Sequence, residues 1–433
     1  MSKGDSFLRQ FLVYTSGRGF FILSKSLAVM LLARALGPSE FGVYTLLVFT
    51  TTIVSSFGTF GMYQTAIYYY SKNRQTREFM GLSILQGFAG GFLLAAATFL
   101  VQGYWPSVFG DISALVCLLA VCNIPFFILG NIFDGMLAGE QEFLMLTSRN
   151  SARWAANLII ISILYYFHTL NLVYAIAINL FTNCLGVLLF FRILLHKHPP
   201  RMFKDLESVK TCFKHSFQLY FSDLAFLLWL RMDYYFTKAY SSPDQVGIYA
   251  LVTNINEIIL QFPKALYNIV YPRVAHSEEK ATELISSLSR AIIFLMLCSF
   301  VFLCFFGDTV IRIVGGNEFV GAYRTMLLQY PFITFISIYL VLTSYMSAVK
   351  NMDLMIRSNV YGLISLALFN YFLVPEFGIN GAAIARSLNA FILLLLVFIP
   401  LRRMNKWAWR DFVIIKHRDL VGLQKKLADA ISR

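Results

Sequence analysis

Charge is the scarcest thing in this sequence. Asp, Glu, Lys and Arg make up 14% of its 433 residues, against about 25% in soluble domains. The deficit runs the whole length, which excludes a soluble domain held by one anchor and indicates a polytopic membrane protein. No long hydrophilic stretch interrupts it, so there is no room for a soluble catalytic domain. Gly315-Gly316 is not followed by Lys-Ser/Thr at the phosphate-loop spacing, which argues against direct drive by ATP. The six cysteines (Cys117, Cys122, Cys184, Cys212, Cys298 and Cys304) have no metal-ligand or redox spacing and read as small core residues. His196 and His198 flank Lys197 without further ligands, so neither a metal nor another cofactor is expected. The first apolar stretch lacks a small-residue cleavage site, so no cleavable signal peptide is expected. The absence of an Asn-x-Ser/Thr sequon weighs against a eukaryotic secretory route.

Apolar residues are abundant instead, at 58% of the chain, with 42 Phe and 23 Tyr. A span needs about 20 mainly apolar residues. On that scale the sequence predicts twelve: 11–33, 42–63, 79–102, 112–133, 147–167, 171–193, 213–237, 247–271, 286–306, 325–348, 355–374 and 379–401. Basic residues set the orientation. With both termini inside, 27 of the 36 Lys and Arg fall in cytoplasmic segments and four (Arg34, Lys238, Arg312, Arg324) outside. This placement assigns the net charge of +13 to anionic lipid heads and leaves nucleic acid unneeded. The expected location is a cell (inner or plasma) membrane.

The chain also repeats itself. ARALGPSEFGVYTLL at Ala33–Leu47 returns as KAYSSPDQVGIYALV at Lys238–Val252, with Pro, Gly, Tyr and Leu displaced by 205 (243 − 38). MLTSRN at Met145–Asn150 returns as LMIRSN at Leu354–Asn359. Two matches in order at nearly one offset indicate a duplication. The fold expected is all-α, with two six-helix lobes related by a pseudo-two-fold axis along the membrane normal. The lobes are 1–195 and 211–401, joined by a cytoplasmic hinge at 196–210 that contains Pro199-Pro200. Residues 402–433 form a basic cytoplasmic tail. Its Trp407 and Trp409 read as interfacial anchors, and Leu420, Leu423, Leu427 and Ile431 recur at helical spacing.

ALGPSEFGVYTLL after the first span is similar to the opening signature of the polysaccharide and O-antigen flippases (Wzx-type). These share a superfamily with multidrug-and-toxin extruders and the lipid II flippase. RMDYYFTKAYSSPDQVGIYAL, FPKALYNIVYPRVAH (Phe262–His276) and FGINGAAIARSLNAF (Phe377–Phe391) resemble the corresponding segments of the second half. The resemblance covers about residues 7 to 400. It implies transfer of a polyprenyl-pyrophosphate-linked oligosaccharide from inner to outer leaflet by alternating access. It implies two six-helix lobes around a cavity, and a polysaccharide polymerase and assembly proteins as partners beside membrane lipids. No short catalytic motif travels with the family.

A charge inside a span usually faces the bundle interior or a wet cavity. Arg18, Lys25, Arg231, Lys264 and Arg386 are the interior cations. They suit pyrophosphate, since Arg gives forked hydrogen bonds and Lys a point charge. Asp223 and Glu257 are candidates for gating or for coupling to H⁺ or Na⁺. Asp233 reads as a partner of Arg231 or Lys238. Five cations against three carboxylates lean away from the alternative, an ion-coupled exporter of small cationic compounds. Short external loops lean away from a membrane enzyme.

Asp223 occupies the position of Arg18 in the other repeat (18 + 205). The pair is expected to approach when the cytoplasmic side closes. Charge reversal at either position alone should abolish transport, and the double swap should restore it. Additive losses in the double mutant would refute the pairing.

Overall fold

A computed structural model describes residues 3–73, 75–104, 112–203, 206–261, 263, 281–348, 352–405 and 407–413. Among them there is no β-strand. With no water in hydrocarbon to meet a free amide, a helix satisfies its own backbone.

Among the described residues thirteen helices and one short terminal turn follow in order. They are α1 (Lys3–Thr59), α2 (Met62–Ser71), α3 (Thr76–Leu85), α4 (Gly91–Tyr104), α5 (Ala114–Val121) and α6 (Asn123–Gly139). Next come α7 (Phe143–Tyr166), α8 (Leu172–Lys197), α9 (Leu206–Tyr240) and α10 (Pro243–Ile259). The last are α11 (Ala281–Val314), α12 (Ala322–Ala348), α13 (Met352–Asn405) and the turn α14 (Trp409–Val413). A π turn at Gln86–Gly90 joins α3 to α4.

Seven helical runs are long and apolar enough to cross a membrane. Two of them are broken, α1 at Gly37 (φ 68°) and α13 at Gly378 (φ 55°), and each is long enough for two crossings. Glycine alone takes such a φ without steric cost. Pro38 then starts the second leg of α1, where its missing N–H goes unused. The more polar α7, α9 and α10 supply helix at the three remaining expected positions. The protein is therefore a multi-pass membrane protein. Large apolar side chains such as Phe302, Phe305 and Phe306 of α11 are exposed, as lipid-facing residues are.

The chain forms two compact units, Met1–Arg231 and Met232–Arg433. In unit 1 the organising element is α6. Ile124, Ile128, Ile132, Phe133 and Met136 are fully buried and form its core with Phe79, Met80 and Met62. Gly135 and Gly139, four apart, let the backbone of α2 approach. A Cβ at either would sit 2.5 Å from the Tyr63 carbonyl or 2.8 Å from that of Ile67. The second leg of α1 ends nearby at Phe60 (φ 47°) and Gly61 (φ 71°). Gln86 Nε2 donates to the freed carbonyls of Gly58 (2.7 Å) and Thr59 (3.1 Å). In unit 2, α12 packs between α11 and α13 and is largely buried. Ser242 caps α10 by accepting from the Gln245 amide, with Pro243 in the first turn.

The boundary between units falls inside α9, beyond the hinge expected at 196–210. The cause is packing. His198 bonds Glu140, and Lys197 Nζ donates to Glu140 (2.7 Å) and Glu142 (3.4 Å). The Arg201 amide donates to the Arg77 carbonyl (2.9 Å). Phe203, Val209, Cys212 and Phe213 then join the core around α6. The hinge and the start of α9 thus belong to unit 1. Trp407 also departs from expectation. It is 4% exposed, packs on Tyr345, Phe398 and Phe412, and donates from Nε1 to Thr282 (3.1 Å). It closes an aromatic cluster, while Trp409, partly exposed, stacks on Phe398. The amphipathic pattern at 420–431 lies outside the described residues.

Glu140→Ala removes the shared acceptor of Lys197 and His198. Trypsin should then cut the 196–210 segment several-fold faster in the purified protein, with little change in thermal midpoint. An unchanged cleavage rate would mean that Arg201 and the α9 core residues hold the segment alone.

Candidate functional site

Each unit encloses one polar node within its apolar core. In unit 2 the node is Asp233. Its carboxylate takes Arg386 Nη1 at 2.8 Å and the Tyr249 hydroxyl, and the two side chains of the ion pair are 1% and 3% exposed. The Arg386 guanidinium also lies over the Phe332 ring, 4.4 Å from its centroid. Gln329 donates from Nε2 to the Tyr249 hydroxyl (3.2 Å) and to Thr253 (3.3 Å), and its Oε1 accepts from Asn256 Nδ2 (2.5 Å). Four helices, α9, α10, α12 and α13, are tied by this one network.

Unit 1 repeats the plan with different chemistry. Tyr44, the repeat partner of Tyr249, accepts from Asn179 Nδ2 at 3.5 Å. Asn183 donates to Asn179 and to Asn123, each at 2.9 Å, and accepts from Arg153. Asn123 and Asn183 fall on Gln329 and Asn389 at one offset (206), and Ala28, fully buried, falls on Asp233 at 205.

A separate ion pair lies in unit 1. Arg149, 4% exposed, bonds Asp134 and donates to the carbonyls of Gly130 (2.9 Å) and Gly186 (3.1 Å). A Cβ on Gly130 would stand 2.8 Å from the Arg149 guanidinium. The absent side chain is what admits the arginine.

Comparison with known proteins adds the following. A family model described as polysaccharide biosynthesis protein matches residues 7–277. The chain belongs to the polysaccharide biosynthesis protein family. Two curated members of this kind are similar to it. The "Putative O-antigen transporter" of Shigella flexneri is 23% identical over 388 residues, 83% of this chain and 89% of that one. The "Probable low-salt glycan biosynthesis flippase Agl15" of Haloferax volcanii is 22% identical over 190 residues. That match spans 43% of this chain and only 40% of the relative. Among solved structures, the lipid II flippase MurJ in an inward closed conformation superposes with a TM-score of 0.78 at 15% identity. It covers 95% of this chain and 91% of its own. An inward-facing multidrug resistance MATE family transporter gives 0.69 at 12%, covering 89% and 96%. This family member therefore has the fold of those transporters.

The structure places the predicted charges as follows. Arg386 is in the core of unit 2, engaged by Asp233 and not by an open surface. Asp233 pairs with it rather than with Arg231 or Lys238. Arg231 sits over the Phe49 ring, 3.9 Å from its centroid, within unit 1. Lys25 on α1 and Glu257 on α10 are both half-buried. Arg18 and Asp223 lie on described helices, but their side chains are outside the described residues, as is the whole of Lys264.

Arg149, Arg153 and Arg290, counted by sequence among cytoplasmic loop residues, lie on helices; Arg149 and Arg290 are buried and Arg153 is half-buried. Arg290 donates to the Asp411 carbonyl, which ties α11 to α14. The signal that could have found Arg149 and Arg153 is their four-residue spacing, which puts both on one face of α7.

Asp233→Leu leaves Arg386 buried and unpaired. It should destabilise the protein by about 3–5 kcal/mol, whereas Asp233→Leu with Arg386→Met should recover most of that loss. Thermal unfolding in detergent measures both. Equal losses in the single and double variants would show that the two residues are not coupled.

Proposed function

We propose that this protein is a flippase that moves a polyprenyl-pyrophosphate-linked oligosaccharide, a repeat unit of a surface polysaccharide or O-antigen, from the inner to the outer leaflet. The observation that carries the reading is family membership together with likeness, over 83% of the chain, to a protein named as an O-antigen transporter. A transporter fold without a separate catalytic domain agrees with it.

Alternating access of two six-helix lobes is the mode of transport in this proposal. Lys25, Arg231 and Lys264 would meet the pyrophosphate. Arg18 and Asp223 would gate the inner side, and Glu257 would couple the cycle to H⁺ or Na⁺. Arg386 would contribute only in a state that releases it from Asp233. The protein would sit in the inner membrane with both termini cytoplasmic, handing its cargo to a polymerase and assembly proteins.

Cells depleted of the protein should accumulate one saccharide-lipid. A membrane-impermeant glycosidase should fail to reach it in sealed cells and should trim it after permeabilisation, as read by mass spectrometry of the polyprenyl lipids. A lipid pool unchanged in amount and in sidedness would refute the proposal.

A further inference from the structure

Where the second leg of α1 ends, unit 1 holds a cavity of about 140 Å³. Among the described residues Ser56, Thr59, Tyr63, Asn131, Tyr220 and Leu224 line it. A cavity of roughly 150 Å³ accommodates a benzene ring, so there is space here for one six-membered ring. The lining sets hydroxyl, amide and phenol groups beside apolar surface that includes Leu224. Such a wall suits a ligand that is polar at its edge and apolar on its face.

Two of these groups are uncommitted. Among the described residues, the Ser56 hydroxyl and the Asn131 amide meet no hydrogen-bond partner, although both side chains are half-buried. Asn131 offers two donors and an acceptor, and Ser56 one donor and two lone pairs. Thr59 donates to the Ser55 carbonyl (2.8 Å) and keeps its oxygen as an acceptor. On the opposite side Phe60 stacks against Tyr220, with centroids 5.4 Å apart and planes at 21°. Phe60 reaches that position through its left-handed backbone at φ 47°, and Gln86 holds the carbonyls that the turn leaves open. A phenyl side chain in that conformation is strained. The local fold therefore sustains an aromatic platform beside unpaired polar groups.

A ring that both donates and accepts around its edge, and presents C–H groups on its face, matches this inventory. We infer that the cavity is a saccharide subsite, which takes one neutral pyranose ring of the cargo between Asn131 and Ser56 and the Tyr220 ring backed by Phe60. The inference rests on the flippase reading for the identity of the cargo. In the proposed orientation the subsite lies toward the cytoplasmic ends of α1's second leg and of α6, the side on which the lipid-linked sugar is loaded.

The test uses the purified full-length protein and two readouts. Saturation-transfer NMR with methyl glycosides of glucose, galactose and N-acetylglucosamine should show transfer to at least one ring. Asn131→Leu and the milder Ser56→Val should each reduce it at least fivefold, with unchanged thermal midpoints. In proteoliposomes the same variants should slow translocation of the saccharide-lipid about tenfold, and that of bare polyprenyl pyrophosphate less than twofold. Absence of transfer from every glycoside to the wild type, or equal transfer in the variants, would overturn the subsite and leave a cavity that holds water. Transfer that the variants abolish, in a wild type that translocates no saccharide-lipid, would retain the sugar site and overturn the flippase reading alone.

Discussion

Hydrocarbon offers a polar group no partner, and this one constraint orders the structure. Each amide, hydroxyl and charge away from water has to be met from within the protein. Regular helix meets the demand along its length. The problem is then confined to breaks, ends and side chains, and the sequence answers each locally. Gln86 takes the carbonyls freed where α1 ends, and Ser242 caps α10. Thr50, Thr51, Ser55 and Thr59 return their hydroxyls to the carbonyls of the turn before. The buried guanidinia of Arg149 and Arg386 each have a carboxylate. Against that background, the amide of Asn131 and the hydroxyl of Ser56 stand out because they face a cavity.

The same constraint shapes the polar node of each unit. A tyrosine two residues after a glycine, Tyr44 or Tyr249, anchors it in both. Unit 1 meets its tyrosine with asparagine. Unit 2 buries an arginine, which demands a carboxylate, and Asp233 supplies it. Either charge alone would be buried unpaired at a cost of several kcal/mol. Phe332 beneath the guanidinium completes its surroundings.

Much of this fold was legible beforehand because hydropathy and punctuation are local properties. Among the described residues helix is found at each of the twelve expected positions, the eighth as far as Ile259, and Gly37-Pro38 breaks the first pair as its composition implies. Partnership is not local. Asp233 and Arg386 are 153 positions apart, and nothing in either neighbourhood names the other. The hinge shows the same gap. Pro199-Pro200 marks an irregular segment correctly, but only the folded chain reveals that His198 and Lys197 converge on Glu140 and fasten it to unit 1. The burial of Arg149 was not legible, because a positive charge near the end of an apolar run counts as loop in any window average. A single glycine on another helix, Gly130, is what makes burial of Arg149 possible. The cavity was illegible for a related reason: Asn131 and Ser56 look like any polar residue in a span until their lack of a partner is seen.

The distribution of buried charge follows the same constraint. A buried carboxylate and guanidinium that satisfy each other form a pair with no net charge. Such a pair avoids leaving an unpaired ion in the interior, which would cost several kcal/mol. Asp233 with Arg386 is such a pair in unit 2, and Asp134 with Arg149 in unit 1. Both ion pairs are thereby closed within the unit that holds them.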